Sequence, residues 1–425
     1  MNDHTKKHEQ MQGIYTNIMW YFLYFNIPIS HIQYIHNHKG GNMKKILLST
    51  TICLLCLPAL ANTHETKSIV QKYNNFKQEL QDKTGLSYSI DISALMQRGA
   101  PNGKGTAWQT MYYGDVNWDM FDSDTFGSGS LQIAYNAVRY WGKSATNISN
   151  RIGVITDIND YPSNSNEFDQ LSYTHQFPGH MKWLSVTLGQ FPMYNFDGSA
   201  YLANQQTNFL NYALSQNGSS TYPTASLGAY ATIAPNDKWS FTVGMQDAHN
   251  ISGETISSNK FGKGKYTSFV SASYTPTDKN GNQNQYSVMF YNQPGVPQQP
   301  GTSNGWSINF LQYLTDKFAV TGRINGASNS PETIKQSYVL GVVYNNPFNR
   351  NNLDQIGFAG AVNKLNKSVN GTGTRSVENV LEAYYAFGLS DFMTITPDVQ
   401  FYINPGANQK SNTATIASIR ATMMF

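Results

Sequence analysis

Residues 394–404 read Thr-Ile-Thr-Pro-Asp-Val-Gln-Phe-Tyr-Ile-Asn. The apolar side chains of this stretch, from Ile395 to Ile403, occupy every second position, and more polar side chains occupy the positions between them. Successive side chains of a β-strand point to opposite faces, and a strand of a membrane barrel turns its apolar face to lipid and its polar face to the interior. The stretch therefore predicts a transmembrane β-strand.

The same two-residue period occurs in fifteen further segments. They are residues 88–96, 109–119, 130–140, 168–177, 183–191, 225–233, 239–246, 266–275, 285–292, 305–313, 318–325, 337–345, 355–363, 377–387 and 415–425. Connections after even-numbered segments are mostly short, whereas those after odd-numbered segments, such as 141–167, 192–224 and 247–265, are mostly long and polar. This asymmetry is typical of outer-membrane barrels. The pattern predicts an all-β fold, a sixteen-stranded antiparallel transmembrane β-barrel with short periplasmic turns and long external loops.

A secreted β-sandwich or propeller would also alternate apolar and polar residues. Against it, the polar rows are too polar for a packed core, and the final segment places Ile419, Met423 and Phe425 on one face. That ending resembles the C-terminal signal read by outer-membrane assembly machinery. The apolar rows also end in aromatic residues, as expected where rings lie at a membrane interface, namely Trp118, Trp183, Trp239, Trp306 and Phe392. We therefore expect the protein in the outer membrane of a Gram-negative cell.

The first 61 residues have a different character. Residues 43–61 begin Met-Lys-Lys, continue as a short apolar run and end Ala-Leu-Ala, which predicts a secretory signal peptide cleaved near Ala61. A membrane anchor would need a longer run of about 20 apolar residues. We interpret residues 1–42 as an extension from a start codon assigned too far upstream, with Met43 as the true beginning. Cys53 and Cys56 both lie in this leader, so the rest of the chain has no thiol nucleophile or thiolate metal site.

The remaining chain divides into a short helical segment and one large domain. Within residues 62–84, apolar residues at helical spacing predict a helix over 68–81 that ends before Gly85. Residues 85–425 form the predicted barrel domain. The whole chain has 29 basic and 26 acidic residues, a formal charge of +3, which argues against a nucleic-acid partner. The expected partner is the lipid bilayer of the outer membrane.

Sixteen strands enclose a barrel wide enough for an aqueous channel. The connection 192–224 is the candidate for a loop that folds inward and narrows this channel, because it is too rich in aromatic residues for a freely solvated loop. Its candidate constriction residues are Tyr194, Phe196, Asp197 and Phe209. The alternative is that the aromatic side chains only pack the loop against the rim.

Residues 378–406 read E-N-V-L-E-A-Y-Y-A-F-G-L-S-D-F-M-T-I-T-P-D-V-Q-F-Y-I-N-P-G. This segment resembles the hallmark C-terminal region of the carbohydrate-selective outer-membrane porins of the OprB type, and residues 188–191, 204–211 and 225–243 agree with it. The resemblance implies a sixteen-stranded barrel that lets sugars diffuse passively past a constriction of charged residues and sugar-stacking aromatic rings. The chain departs from the family in its loops rich in Asn, Gln and Ser and in its few inward arginines.

A sugar offers hydroxyl groups at its edge and a weakly apolar face, so a selective path needs polar side chains and aromatic rings. The candidate polar pore-lining residues at inward positions are Glu378, Glu382, Asp398, Gln400, Arg420, Arg323 and Asp115. The candidate stacking rings are Tyr113, Tyr384 and Tyr402. The alternative is that these charges hold the wall and loops together.

The sequence contains one motif that is typical of hydrolases. Gly301-Thr302-Ser303-Asn304-Gly305 matches G-x-S-x-G, but a nucleophile elbow needs a strand before it and a helix after it, so we expect no enzyme. The sequence shows no metal-ligand cluster, and we expect no cofactor. A general, weakly ion-selective porin and a surface-exposed adhesin or structural barrel stay open, as does the choice between a homotrimer and a monomer.

Overall fold

The side-chain alternation extends around a single closed sheet. The computed structural model describes residues 64–100, 105–256 and 261–425. The strands are β1 (Leu86–Ala100), β2 (Thr106–Ser123), β3 (Gly127–Tyr140), β4 (Ser165–Gln176), β5 (Leu184–Phe191), β6 (Ser226–Asn236), β7 (Trp239–Asp247), β8 (Tyr266–Tyr274), β9 (Gln285–Gln293), β10 (Ser303–Tyr313), β11 (Phe318–Ser328), β12 (Ile334–Asn345), β13 (Gln355–Leu365), β14 (Val377–Ser390), β15 (Met393–Ile403) and β16 (Thr413–Met424). Each strand pairs with its neighbours in sequence, and β1 pairs with β16. The predicted sixteen-stranded antiparallel barrel is confirmed.

Closure depends on the pairing of the first and last strands. The register of β1 and β16 runs from Asp91 opposite Met424 to Ala100 opposite Thr415. Beyond it, Ile90 and Phe425 exchange two main-chain hydrogen bonds of 3.0 and 2.9 Å. Closure removes the open edges that would otherwise leave backbone groups unpaired in lipid.

The two faces of the barrel wall differ as the sequence pattern predicts. Apolar side chains such as Val243, Phe290 and Leu340 project outward and are exposed, because lipid covers this face in a membrane. Aromatic side chains lie near the short turns on the same face. Trp239, for example, stacks on Tyr274 with ring centroids 4.6 Å apart, as in the aromatic belts of membrane interfaces.

Short helices accompany the barrel. They are α1 (His64–Thr84), α2 (Ala145–Ile152), α3 (Tyr212–Ser215) and α4 (Lys367–Asn370), with 3₁₀ turns at Gly179–Met181, Met193–Phe196 and Phe261–Lys263. No helix in the described ranges is long and apolar enough to span a bilayer. The predicted helix over 68–81 lies within α1, whereas the predicted signal peptide 43–61 and upstream extension 1–42 lie outside the described residues.

Helix α1 ends at a glycine that no other residue could replace without strain. Gly85 has a φ of 71°, and its N–H donates to the Gln81 carbonyl at 2.8 Å. A Cβ at this position would lie 2.2 Å from the carbonyl oxygen of Asp119. The close approach lets the chain turn directly from the helix into β1.

A second close approach generates a prediction about folding. The Tyr384 ring on β14 covers Gly357 on β13, and a Cβ at residue 357 would lie 2.2 Å from Tyr384 Cε1. Gly357→Val should therefore destabilise the barrel by about 1–3 kcal/mol through overpacking. Urea titration of the refolded chain, followed by heat-modifiable gel mobility, measures this loss. Gly373→Val is the matched control, because no atom lies within 4 Å of its Cβ position; equal stability of the two variants would contradict the packing argument.

Candidate functional site

The β5–β6 loop, residues 192–225, lies inside the barrel. Leu202, Phe209 and Leu210 are fully buried, and the first two pack in one apolar cluster with wall residues such as Val380. The Phe209 ring meets the Tyr384 ring edge to face, with centroids 5.0 Å apart. The loop therefore contacts the inner wall and occupies part of the lumen.

A wall carboxylate holds the centre of this loop. Glu382 on β14 accepts hydrogen bonds from the backbone N–H groups of Leu210 (2.5 Å) and Asn211 (2.8 Å). The Asn211 amide group in turn donates to the Tyr402 hydroxyl at 2.6 Å. The loop has little regular structure here, so these wall groups satisfy buried backbone donors that would otherwise lack partners.

Two wall arginines satisfy the loop carbonyls. Arg420 Nη1 donates to the Asn208 carbonyl at 2.9 Å, and also to the carbonyl of Gln205. Arg323 donates through Nη1 to the Leu202 carbonyl and through Nη2 to the Leu214 carbonyl, at 3.1 and 3.0 Å. A guanidinium carries five donors in a fixed geometry, so one side chain can bind two turns of an irregular loop.

The β3–β4 loop, residues 141–164, also enters the lumen. It contains α2, which Ser144 caps at its start and Gly153, in the left-handed region, ends. Glu378 on β14 accepts from the backbone N–H groups of Ile155 (2.9 Å) and Thr156 (2.7 Å). The sequence pattern had indicated only a long polar external loop. The overlooked signal is the recurrence of isoleucine at 148, 152, 155 and 158, which is too apolar for a solvated segment.

Most of the predicted pore-lining residues lie beneath these two loops. Eight of them are at most 7% exposed, namely Glu378, Glu382, Gln400, Arg420, Arg323, Tyr384, Tyr402 and Asp398. Gln400 Nε2, for example, donates to the Ile158 carbonyl at 2.8 Å. The main chain of the two loops lies in front of these side chains. This arrangement corresponds to the alternative in which the charges hold the wall and loops together. Direct contact of these eight residues with a solute stays a prediction.

The four predicted constriction residues differ in their surroundings. Phe196 packs on Phe269 and Tyr230, with ring centroids 4.9 and 5.1 Å apart, and Phe209 is buried against the wall. Asp197 is also buried and accepts from Asn217 Nδ2 at 2.6 Å. Tyr194 lines a cavity of about 340 Å³. The aromatic residues thus chiefly pack the loop, and the acidic one fixes its internal turn.

The uncovered part of the inner wall lies along β2, β3 and β4. Tyr113, Asp115, Gln132 and Gln170 point inward and are partly exposed, unlike the covered residues of β14 to β16. Gln170 donates to Gln132 across the strand pair. Tyr113 and Asp115 are therefore the predicted wall residues that face the open lumen.

A cavity of about 340 Å³ opens where the two loops meet this wall. Its lining includes three carboxylates, Asp160, Glu167 and Glu254, and three tyrosines, Tyr161, Tyr194 and Tyr212. The described residues contain no group of three or more metal-ligating side chains suited to an ion. The cavity lining presents carboxylate oxygens and tyrosine rings.

Asn136 on β3 organises one side of the cavity. Its Nδ2 donates to Tyr161 Oη and to Glu167 Oε2, both at 2.9 Å, and to Asp169 Oδ2 at 3.2 Å. Sequence reasoning missed these acidic residues because the register of β3 and β4 shifts between Ala134 and Asn136. At such a β-bulge the two-residue period no longer reports which face a side chain occupies.

Comparison with known proteins identifies the barrel. A family model described as "Carbohydrate-selective porin, OprB family" matches residues 249–425. Porin AaxA of Chlamydia felis is 37% identical over 351 residues, which cover 80% of this chain and 78% of that protein. Porin AaxA of Chlamydia pneumoniae is 34% identical over 360 residues, 82% of each chain. The chain belongs to the OprB family of carbohydrate-selective porins. It is an outer-membrane channel and not an enzyme.

Solved structures agree on the fold of this porin. The high-pH structure of Pseudomonas putida OprB superposes with a TM-score of 0.68 at 16% identity, covering 83% of this chain and 97% of that chain. The family match at 249–425 also includes the four charged wall residues that bind the loop main chain, Arg323, Glu378, Glu382 and Arg420. The two loops that they hold lie outside this range, so the matched region is the wall that receives the loops.

The anchor at Glu382 yields a prediction for the porin. Glu382→Ala removes the acceptor of two buried N–H groups, and a hydrogen bond to a charged group contributes about 1.5–3 kcal/mol. The β5–β6 loop should then detach locally, which raises single-channel conductance and open-channel current noise. Glu382→Gln keeps one acceptor oxygen and should be intermediate.

The control for this measurement is Asp391→Asn, in an exposed turn between β14 and β15. It should leave both conductance and noise unchanged. A quiet channel of unaltered conductance from folded Glu382→Ala would show that this carboxylate does not hold the loop.

Proposed function

We propose that this porin mediates passive diffusion of small polar solutes, carbohydrates in the first place, through the space between the inward loops and the wall of β2 to β4. The observation that carries the proposal is the cavity lined by Asp160, Glu167 and Glu254 together with tyrosine rings. Its volume of about 340 Å³ falls at the lower end of the roughly 300–1,000 Å³ of small-molecule sites. Carboxylates can accept from sugar hydroxyls while rings cover the C–H face.

The neighbouring wall supports the same kind of solute. Hydroxyl pairs face inward on the following strands, with Thr174 and Thr187 at 2.8 Å and Thr232 and Thr242 at 2.9 Å. Thr187 and Thr242 are buried, whereas Thr174 and Thr232 are partly exposed. Hydroxyl groups both donate and accept, so these two can exchange partners with a sugar. The family description, carbohydrate-selective porin, supports carbohydrate as the first solute to test.

Sugar binding at the cavity can be measured by current block. Single channels of the refolded chain from Asn62 should show a current that falls saturably as mono- and disaccharides are added. Glu167→Gln should raise the half-blocking concentration by about 2–10-fold, because a hydrogen bond contributes about 0.5–1.5 kcal/mol. Glu79→Gln, on the exposed face of α1, should leave it unchanged. Current that is indifferent to every sugar would contradict the carbohydrate proposal.

A second candidate, a weakly ion-selective general porin, is favoured by the charge of the path. At the inward positions of the sixteen described strands the cations are Arg323 and Arg420, and both are buried under loop backbone. The inward loop 192–225 contains no Lys or Arg. The charged residues that line the cavity are Asp160, Glu167 and Glu254, and an acidic lining attracts cations and repels anions.

This charge generates a pH prediction centred on Asp160, in the β3–β4 loop. Burial raises the pKa of Asp160 to about 7; the nearby Glu167 charge adds to this effect, while Arg323 and a 3.1 Å hydrogen bond from Gln216 oppose it. Asp160 is therefore charged above pH 7 and becomes neutral as the pH falls through about 7. Cation selectivity should decrease over that range, which reversal potentials in a KCl gradient measure.

The variant Asp160→Asn serves as the control for the pH experiment. It should show lower cation selectivity at alkaline pH and a smaller change of selectivity around pH 7 than the wild type. A wild-type pH profile in this variant would assign the titration to another group.

A further inference from the structure

Helix α1 packs against the outside of the barrel. The Tyr73 ring meets the Phe425 ring at a centroid distance of 6.3 Å and an angle of 85°. Lys77 Nζ lies 4.9 Å from the centroid of the Tyr88 ring, and the Trp118 indole N–H donates to the Thr84 carbonyl at 3.1 Å. The helix thus contacts β1, β2 and Phe425, the residue that follows β16.

All three barrel residues in these contacts point outward. Inward positions are odd-numbered in β1 and β2 and even-numbered in β16, as the burial of Ser93, Met111 and Arg420 shows. Tyr88, Trp118 and Phe425 therefore belong to the face that meets lipid. They lie at the end of the barrel that carries the short turns, which is the periplasmic end. A helix docked on this face lies at the level of the periplasmic leaflet.

The free surface of α1 fits a lipid headgroup layer. Phe76 follows Tyr73 by three residues and precedes Leu80 by four, so these three apolar residues form one stripe along the helix. The side chain of Phe76 is nevertheless 42% exposed. Lys72 lies one turn before Phe76 and Lys83 two turns after it, and both are exposed; Lys83 also pairs with Glu79 at 3.0 Å. Lysine stems can lie along apolar surface while their charges reach phosphate groups.

We propose that α1 is an interfacial helix whose partner is the phospholipid surface of the periplasmic leaflet. Phe76 inserts beside the aromatic belt, and Lys72 and Lys83 bind lipid phosphates. Lipid is the partner that fits the free surface of α1, because the helix packs against Tyr88 and Phe425. Both residues belong to the outer face of the barrel, which lipid covers in the membrane. The helix thereby holds the N-terminal end of β1 at the bilayer surface.

Depth-dependent quenching tests this proposal in the intact barrel. The chain from Asn62 has no cysteine, so Phe76→Cys and Gln78→Cys each create a single labelling site. Both variants are labelled with a bimane fluorophore and refolded in vesicles of phosphatidylethanolamine and phosphatidylglycerol that contain a headgroup-level nitroxide lipid. Gln78 is exposed and lies two residues further on, on a different face of the helix, and is the matched control.

The proposal expects several-fold stronger quenching at residue 76 than at residue 78, with both barrels folded by heat-modifiable mobility. Equal quenching at the two sites, whether weak or strong, would overturn the proposed orientation. A second measurement uses the wild-type side chain at 76. Lys72→Glu with Lys83→Glu should increase chymotrypsin cleavage within α1, at the unchanged Tyr73 and Phe76, several-fold in vesicles, and should do so more in the presence of phosphatidylglycerol than in its absence. Unchanged cleavage would exclude the phosphate contacts.

Discussion

Irregular main chain inside a barrel needs hydrogen-bond partners, and in this porin charged wall side chains provide them. Carboxylates at 378 and 382 accept from loop N–H groups, while guanidinium groups at 323 and 420 donate to loop carbonyls. A buried charge is costly unless several hydrogen bonds satisfy it, so each side of these contacts requires the other. Without this network the buried charges of the wall would lack hydrogen-bond partners. The loop main chain inside the barrel would lack them as well.

The same network determines the character of the open path. The two inward arginines are directed at loop carbonyls, so their charge is buried with the loops and does not reach the water beside β2 to β4. The carboxylates of Asp115 and Glu167 stay on the uncovered side. A barrel of nearly balanced formal charge can therefore present an acidic channel, because what a solute meets depends on which charges the loops cover.

The limits of sequence reasoning follow from this geometry. A period of two reports which face a strand residue occupies, so the inward positions of Glu382 and Arg420 were predictable, and the structure has them there. The period does not report what lies in front of that face. Loop residues such as Asp160 and Glu254 have no periodicity at all, and Glu167 is separated from the rest of β4 by a register shift. Their meeting in one cavity depends on contacts between segments distant in sequence, which no local pattern encodes.

Phe425 links the closure of the barrel to the position of α1. Its main chain pairs with Ile90, while its ring contacts both Phe392, at 5.7 Å, and Tyr73, at 6.3 Å. The surface that receives α1 also includes Tyr88 on β1 and Trp118 on β2, so it is complete only when the last strand has joined the first. The helix precedes β1 in the chain, yet its docking surface depends on β16. Helix α1 and the C-terminal residue therefore pack as one unit, in which the rings of Tyr73 and Phe425 contact each other. The two-residue period places Phe425 on the lipid-facing side of the barrel, but it does not show this contact.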